Sequence, residues 1–160
     1  MDQCRAVMLT CQTRFFGEME YTDDSVISFP EGIPGFEQER AFLFVHVPAK
    51  DPIMFLQSMK NQSLCFVTLP ILTLDPEYHL DFTDDDLRLL DFAKNSRPQI
   101  GQDVLCVALI STQPGDTPRA NLMAPIVVNL FKRLAIQVIH AGSGYSNRHP
   151  ILLKEAAACL

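Results

Sequence analysis

The sequence has no tryptophan and no Cys-x-x-Cys pair. It also has no apolar run near the ~20 residues that a membrane-spanning helix needs. Its N-terminus lacks the basic-then-apolar order of a secretion signal. The five cysteines are Cys4, Cys11, Cys65, Cys106 and Cys159. An odd number of cysteines without a spacing pattern is typical of reduced thiols. We therefore expect a cytoplasmic protein with five free thiols.

Basic residues are in the minority. The chain has 13 Lys and Arg against 19 Asp and Glu, which gives a net charge of −6. Nucleic acids and acidic membranes select a basic face, so this balance argues against both as direct partners and is compatible with a basic protein partner. The 160 residues suit one domain over residues 1–160, and we expect flexible ends at 1–7 and 153–160.

Residues typical of catalysis or metal binding are present but are not spaced for either. The histidines are His46, His79, His140 and His149. They show no metal-ligand spacing. Arg148 and His149 could form an acid–base pair with Asn121 orienting a substrate, but no third group that would orient His149 is recognisable. The alternative, that Arg148 and His149 hydrogen-bond backbone carbonyls, is favoured. We expect no enzymatic activity, no cofactor and no metal.

The segment 28–37 contains two consecutive tight turns. Residues 29–32 read as a type I turn, and residues 33–36 as a type II turn in which Pro34 presets φ and Gly35 accepts a positive φ. The segment also carries three large apolar side chains: Phe29, Ile33 and Phe36. So rigid and apolar a loop either plugs the end of a β structure or presents an apolar anchor to a partner. Buried aromatics are usually core residues, which favours the plug.

Short β-rich segments account for most of the remaining chain. The predicted strands are 8–14, 18–21, 26–29, 41–47, 54–58, 65–69, 103–110, 126–129 and 135–139. Segments 41–47 and 103–110 are apolar on both faces, which places them centrally in a sheet. Pro125 marks a strand start or a bulge. This pattern predicts a mainly β, single-domain fold with an antiparallel, barrel-like sheet.

One segment has helical rather than strand periodicity. Residues 83–93 open with Thr83 as an N-cap and three acidic residues, and the apolar residues that follow share one side. We predict one helix of about three turns, packed on the sheet, with a favourable Asp84–Arg88 pair. The preceding loop, 74–78, mixes acidic residues with an aromatic. That mixture favours an interaction site at Asp75, Glu77 and Tyr78, together with Phe36.

Four segments resemble the flagellar assembly factor (FliW) family. They are the Phe-Pro-Glu-Gly-Ile-Pro-Gly-Phe segment 29–36, Phe-Leu-Gln-Ser 55–58, Ala-Asn-Leu-Met-Ala-Pro-Ile-Val-Val-Asn 120–129 and Tyr-Ser-Asn-Arg-His-Pro 145–150. The family-like core spans residues 8–152. Its signature positions are Phe29, Pro30, Gly32, Pro34, Gly35, Asn121, Pro125, Asn129, Arg148, His149 and Pro150. The segment 130–134 departs from the family pattern, which leaves the turn type open and suggests that Leu130 or Phe131 is exposed.

The resemblance implies a β-barrel-like fold and a non-enzymatic role in flagellum biogenesis. Family members bind CsrA, a dimeric RNA-binding translational regulator, and relieve its repression of flagellin mRNA. They also bind flagellin, so that secretion of flagellin frees the factor to capture CsrA. We expect a monomer when no partner is bound. The alternative function is a small-ligand-binding β-barrel, because a closed sheet of about eight strands can hold one ligand.

Overall fold

The computed structural model of the chain describes residues 6–151. Of the predicted flexible ends, residues 1–5 and 153–160 lie outside this range, as do Cys4 and Cys159. The strands are β1 (Leu9–Thr13), β2 (Gly17–Tyr21), β3 (Ile27–Ser28), β4 (Ala41–His46), β5 (Met54–Ser58), β6 (Cys65–Pro70), β7 (Val104–Ser111), β8 (Arg119–Asn129), β9 (Ala135–Gln137) and β10 (His149–Pro150). The helices are α1 (Ile71–Leu74) and α2 (Asp84–Leu89), with short 3-10 helices at Asp23–Ser25 and Pro48–Lys50.

One antiparallel sheet holds eight of the ten strands. Its order is β10-β8-β7-β6-β5-β4-β3, and β9 pairs with β8. The sheet curves until β3 reaches β9, where the Ser28 N–H donates to the Arg133 carbonyl at 2.9 Å and Ser28 forms a bridge with Leu134. The remaining strands, β1 and β2, form a separate hairpin. The prediction of a mainly β, barrel-like fold is confirmed.

Both faces of β7 are buried, as the apolar run 103–110 predicted. The run 41–47 forms β4, which lies next to the end strand β3 and is therefore less central than predicted. One cluster contains residues from β3, β4, β5, β7, β8 and β9, and is therefore enclosed by the curved sheet: Ile27, Phe29, Ile33, Phe42, Leu56, Val107, Ile126, Val128 and Ala135. On the opposite face, Cys106 and Val127 pack with Ile71 of α1 and with Leu90, which follows α2. Aliphatic and aromatic side chains thus fill the space that a ligand-binding barrel would leave open.

The predicted helix is shorter than expected. After α2, Asp91 has a φ of +60°, the Phe92 N–H donates to the Leu87 carbonyl at 2.8 Å, and the Asp91 N–H donates to the Arg88 carbonyl at 3.1 Å. These two bonds are those of a Schellman motif, which ends a helix at a left-handed residue. The prediction of three turns was therefore wrong. The structure also adds α1, a single turn that the sequence did not predict.

The predicted Asp84–Arg88 pair is also wrong. Arg88 instead pairs with Asp85 at 2.6 Å, and the Asp84 carboxylate lies 3.7 Å from the Lys94 ammonium group. The Thr83 cap is confirmed, since its Oγ1 accepts the Asp86 N–H while the Asp86 carboxylate accepts the Thr83 N–H. This reciprocal capping box fixes the start of α2 beside the acidic residues of its first turn.

Candidate partner-binding surface

The segment 29–37, here called the signature loop, has the predicted turns. The Gly32 N–H donates to the Phe29 carbonyl at 3.1 Å and the Phe36 N–H to the Ile33 carbonyl at 2.6 Å. Gly32 and Gly35 have φ values of +71° and +86°. A Cβ atom at Gly32 would lie 2.6 Å from the Cα of Glu37, so the loop closes tightly on this glycine.

The two phenylalanines of the signature loop differ in burial. Phe29 is 1% exposed and its ring meets Phe42 edge-on, with 5.1 Å between centroids. Phe36 is 41% exposed and its ring meets Phe66 edge-on at 5.2 Å. Phe66 in turn contacts Phe42 at 6.1 Å. Phe29 is therefore the plug, whereas Phe36 offers an apolar surface that a chain of aromatic contacts holds against the core.

Local hydrogen bonds keep the exposed part of the loop in place. The Gly35 N–H donates to Glu37 Oε1 at 2.9 Å, and this bond holds the pKa of the Glu37 carboxyl below its usual 4.5. The Arg40 guanidinium donates to the Pro30 carbonyl at 2.6 Å. Pro34 lies exposed between these contacts. The surface around Phe36 is thus pre-organised and carries a carboxylate that stays ionised near neutral pH.

The second predicted interaction segment is only partly on the surface. Glu77 is exposed, and its N–H donates to Asp75 Oδ1 at 3.0 Å across the turn that follows α1. Tyr78 is 6% exposed, donates its hydroxyl to the Leu122 carbonyl at 2.6 Å and stacks on Tyr145 at 4.3 Å. Burial raises the pKa of Tyr78. Tyr78 therefore belongs to the core, and its prediction as a partner contact is corrected.

The signature residues of β8 shape the sheet. Between the pairs Val107–Ile126 and Leu109–Asn121 the register shifts, so the strand bulges next to Pro125. Of the two predicted alternatives for Pro125, a strand start and a bulge, the structure shows the bulge. Asn121 Oδ1 accepts the N–H groups of Met123 and Ala124 at 3.1 and 3.0 Å inside this bulge. The Asn121 side chain thus accepts hydrogen bonds from backbone N–H groups that the bulge leaves without a partner on β7.

Asn129, at the end of β8, joins two elements. Its Nδ2 donates to the Leu90 carbonyl at 2.7 Å, just after α2, and its Oδ1 accepts the N–H of Phe131 at 2.9 Å in the turn to β9. The residue is 2% exposed. Phe131 itself is 72% exposed, in agreement with the expectation drawn from the unusual turn sequence.

The closing motif at residues 148–150 pairs through its backbone. His149 and Pro150 form β10, opposite Ala120 and Arg119. None of the side-chain hydrogen bonds found in residues 6–151 comes from the side chain of Arg148 or His149. The expected bonds from these two side chains to carbonyls are therefore absent from the described structure. Instead, the backbone carbonyl of Arg148 accepts a hydrogen bond from the Arg119 guanidinium at 3.5 Å.

The fold also creates an acidic groove that the sequence did not reveal. The groove has a volume of about 320 Å³ and runs between the signature loop, α2 and the end of β9. Its lining residues are Glu31, Gly32, Pro34, Glu37, Asp85, Asp86, Leu89, Ile136, Gln137 and Ile139. Ile139 is 61% exposed. Among the residues that the structure describes, four carboxylates and no basic side chain line the groove. These four carboxylates come from separate parts of the chain.

No group of three or more His, Cys, Asp or Glu side chains within residues 6–151 is placed to hold a metal ion. In the same residues, no helix has the length and apolar character needed to cross a membrane. The three cysteines in this range, Cys11, Cys65 and Cys106, have free thiols. The expectation for all five thiols remains a prediction because Cys4 and Cys159 are outside the range.

Comparison with known proteins places the chain in a family. Residues 10–151 match the family model described as FliW protein. The chain belongs to the FliW family. It is thus a flagellar assembly factor by family, and the resemblance carried by its four sequence segments is confirmed.

Individual FliW proteins match over most of their length. The flagellar assembly factor FliW of Syntrophomonas wolfei is 34% identical over 137 residues, which cover 84% of this chain and 83% of the relative. That of Bacillus subtilis is 31% identical over 140 residues, which cover 87% and 94%. A crystal structure of the flagellar assembly factor FliW superimposes with a TM-score of 0.78 at 30% identity, covering 92% of this chain and 99% of the other.

Proposed function

We propose that this FliW protein is a non-enzymatic, cytoplasmic partner switch that binds CsrA and flagellin. Binding to CsrA relieves repression of flagellin mRNA, and binding to flagellin keeps the factor away from CsrA until flagellin is secreted. The observation that carries this proposal is Phe36, which is 41% exposed on a rigid loop of a family-specific sequence. Exposed aromatic side chains on a fixed backbone are typical anchors of protein interfaces.

The charge around Phe36 suits a basic partner. Glu31 and Glu37 flank it in the signature loop, and both are exposed. The whole chain has a net charge of −6, whereas a regulator that grips RNA needs a basic surface for phosphate contacts. Opposite charges steer the encounter of two proteins and raise the association rate more than the final affinity.

Asp75 and Glu77 contribute a second acidic group to the proposed interface. No hydrogen bond, ion pair or ring contact within residues 6–151 joins them to Phe36. We therefore assign them a rim role, in which their charge steers the partner from a distance. Tyr78 is left out of the interface because its ring and hydroxyl are used inside the core.

We further propose that the protein lowers the RNA affinity of CsrA without imitating RNA. An RNA mimic needs a dense, regular track of negative charge. Here the acidic residues form separate groups divided by apolar loops, a pattern that suits docking beside the RNA-binding surface. An effector that docks beside a site and weakens it acts by negative allosteric coupling.

Titration calorimetry with purified CsrA and purified flagellin tests the switch. We expect each protein to bind the chain alone, and flagellin pre-bound at saturation to abolish the heat of CsrA binding. A control titration of bovine serum albumin should give no heat. Absence of binding to both proteins would overturn the proposed function and leave family membership untouched, and simultaneous binding of both would overturn the switch.

A further inference from the structure

Residues 137–140, at and just after the end of β9, carry unused backbone groups on the side that faces away from β8. Val138 and His140 donate their N–H groups to the carbonyls of Pro125 and Met123, on β8, at 2.9 and 2.7 Å. Successive residues of an extended strand point their N–H and C=O groups to alternate sides. Those of Gln137 and Ile139 therefore point away from β8. Within residues 6–151, no hydrogen bond engages the backbone of Ile139.

The neighbouring strand does not cover this edge. β3 reaches β9 at the single bridge between Ser28 and Leu134. Directly afterwards the chain turns away, since the Phe29 N–H donates to the Arg40 carbonyl at 2.8 Å. Within residues 6–151, the barrel-like sheet is therefore closed at Ser28 and open beyond it. The open part coincides with the acidic groove, where Gln137 and Ile139 form one wall.

The groove offers both apolar and charged contacts beside the free edge. Ile136 and Leu89 lie along it, and Ile139 is 61% exposed. Of the four carboxylates, that of Asp85 is paired with Arg88 at 2.6 Å. The other three, those of Glu31, Glu37 and Asp86, form no ion pair among the described residues, although Glu31, after Asp85, also helps to raise the pKa of Arg88. Free strand edges bind extended peptides through the backbone, while neighbouring pockets select their side chains.

We propose that the acidic groove is a strand-addition site for an extended segment of a protein partner. The segment pairs with the backbone of Gln137 and Ile139. It sets apolar side chains against Ile136 and Leu89 on one of its faces, and directs a lysine or arginine from its other face to Glu31 and Glu37. The negative charge of the groove selects a basic segment over an acidic one. This inference goes beyond the proposed function, because it concerns a defined surface and holds whichever protein supplies the segment.

Nuclear magnetic resonance of the 15N-labelled chain tests the proposal with the peptide acetyl-Thr-Val-Lys-Val-Lys-Val-Thr-amide. We expect shifts of the Gln137 and Ile139 amides at peptide concentrations up to about 1 mM. Hydrogen exchange at the Ile139 amide should slow by about tenfold at saturation, because the amide gains a hydrogen bond. No shift at these residues, or shifts centred elsewhere on the chain, would overturn the proposal.

Two control peptides separate the contribution of charge from that of backbone hydrogen bonding. Replacing both lysines by glutamate should weaken binding by at least about tenfold, since like charges then face the groove. Methylating alternate backbone nitrogens, on the edge that pairs with β9, should abolish binding. Equal binding of either control peptide contradicts strand addition at an acidic edge.

A matched pair of charge variants completes the test. Glu31→Gln with Glu37→Gln should weaken the lysine peptide by about tenfold, whereas Glu18→Gln with Glu20→Gln, the same change of charge on the β1–β2 hairpin, should leave it unchanged. If the two double variants had equal effects, the peptide would be attracted by net charge in general, and the proposed binding site in the groove would be overturned. Because the probe contains neither CsrA nor flagellin, this outcome is independent of the proposed function.

Discussion

At the residue scale, Phe29 and Phe36 differ in burial, and we assign them different roles within one loop. Both belong to the signature loop, yet one is 1% exposed and the other 41%. The two turns between them reverse the chain, so that one ring enters the enclosed cluster while the other remains at its outer edge. Phe29 is therefore the plug, and Phe36 is the proposed anchor.

Alanine substitution should separate these two roles. Phe29→Ala should lower the free energy of unfolding by ~3–5 kcal/mol, as large-to-small changes in a core do. Phe36→Ala should cost only ~1 kcal/mol, the loss of one edge-on ring contact. Urea unfolding followed by circular dichroism measures both.

Binding should respond in the opposite order. Phe36→Ala should weaken CsrA binding by at least about tenfold, or ~1.4 kcal/mol. Phe131→Ala is the matched control, because Phe131 is 72% exposed on the β8–β9 turn, and it should bind normally. If Phe36→Ala binds as tightly as the wild type, Phe36 is not an anchor.

The loop glycines provide a second matched pair. Both have positive φ, and a Cβ atom at Gly35 would have no neighbouring atom within 4 Å, so Gly35→Ala should cost about 1–2 kcal/mol from backbone strain alone. Gly32→Ala should cost more, because its Cβ would lie 2.6 Å from the Glu37 Cα. Denaturant midpoints compare the two variants, and equal losses would contradict the tight closure at Gly32.

Tyr78 marks what residue-level sequence reasoning could not reach. An aromatic among acidic residues in a loop resembles an exposed anchor. Its burial depends on the Leu122 carbonyl, 44 residues away, and on the Tyr145 ring. Neither contact leaves a local signal. The turns around Pro34 and Gly35 were predictable because proline and glycine restrict φ locally.

At the element scale, strands were predictable where short, β-rich runs are bounded by turn residues. β5 has its predicted bounds, and β4 and β6 differ by one residue at one end. α2 ends early because Asp91 adopts the left-handed conformation, which asparagine and aspartate tolerate better than most residues. The helical pattern of apolar residues continues past Asp91, so the sequence did not indicate this end. β8 begins at Arg119, well before the predicted 126, because the bulge lets the strand continue past Pro125.

Replacing Asn129 should lower the free energy of unfolding more than replacing the N-cap residue of α2. Asn129→Ala leaves the Leu90 carbonyl and the Phe131 N–H without their partner, so we expect a loss of ~2–3 kcal/mol. Thr83→Ala removes an N-cap bond at the exposed start of the same helix and should cost ~1 kcal/mol. Thermal and urea unfolding give both values. A larger loss for Thr83→Ala would contradict the tie between α2 and β8.

At the scale of the whole molecule, the acidic groove results from the acidic composition and the strand topology together. The net charge of −6 was readable from composition, but the acidic groove was not. Glu31, Asp85 and Ile139 meet there only because the sheet closes at Ser28 and α2 lies over the gap. Their separation in sequence exceeds any local periodicity, so only the fold reveals the site.

Reversing charge at Glu77 should affect how fast CsrA is captured. Glu77→Lys should slow association several-fold at low salt, with little change in dissociation, because rim charges steer encounter. Glu18→Lys, with the same change of net charge on β2, should slow it less. Stopped-flow association at several salt concentrations measures the effect, which salt should progressively remove. Equal slowing by both variants would contradict a rim role for Glu77.

The most direct test of the central claim is the effect of this protein on RNA held by CsrA. Fluorescence anisotropy of labelled flagellin leader RNA is measured against CsrA at increasing concentrations of the chain. The account predicts that the apparent dissociation constant for RNA rises and then reaches a plateau, because an allosteric effector changes affinity by a fixed factor. An unchanged dissociation constant would contradict the proposed release of the message, and a rise without limit would show simple competition in place of allosteric action.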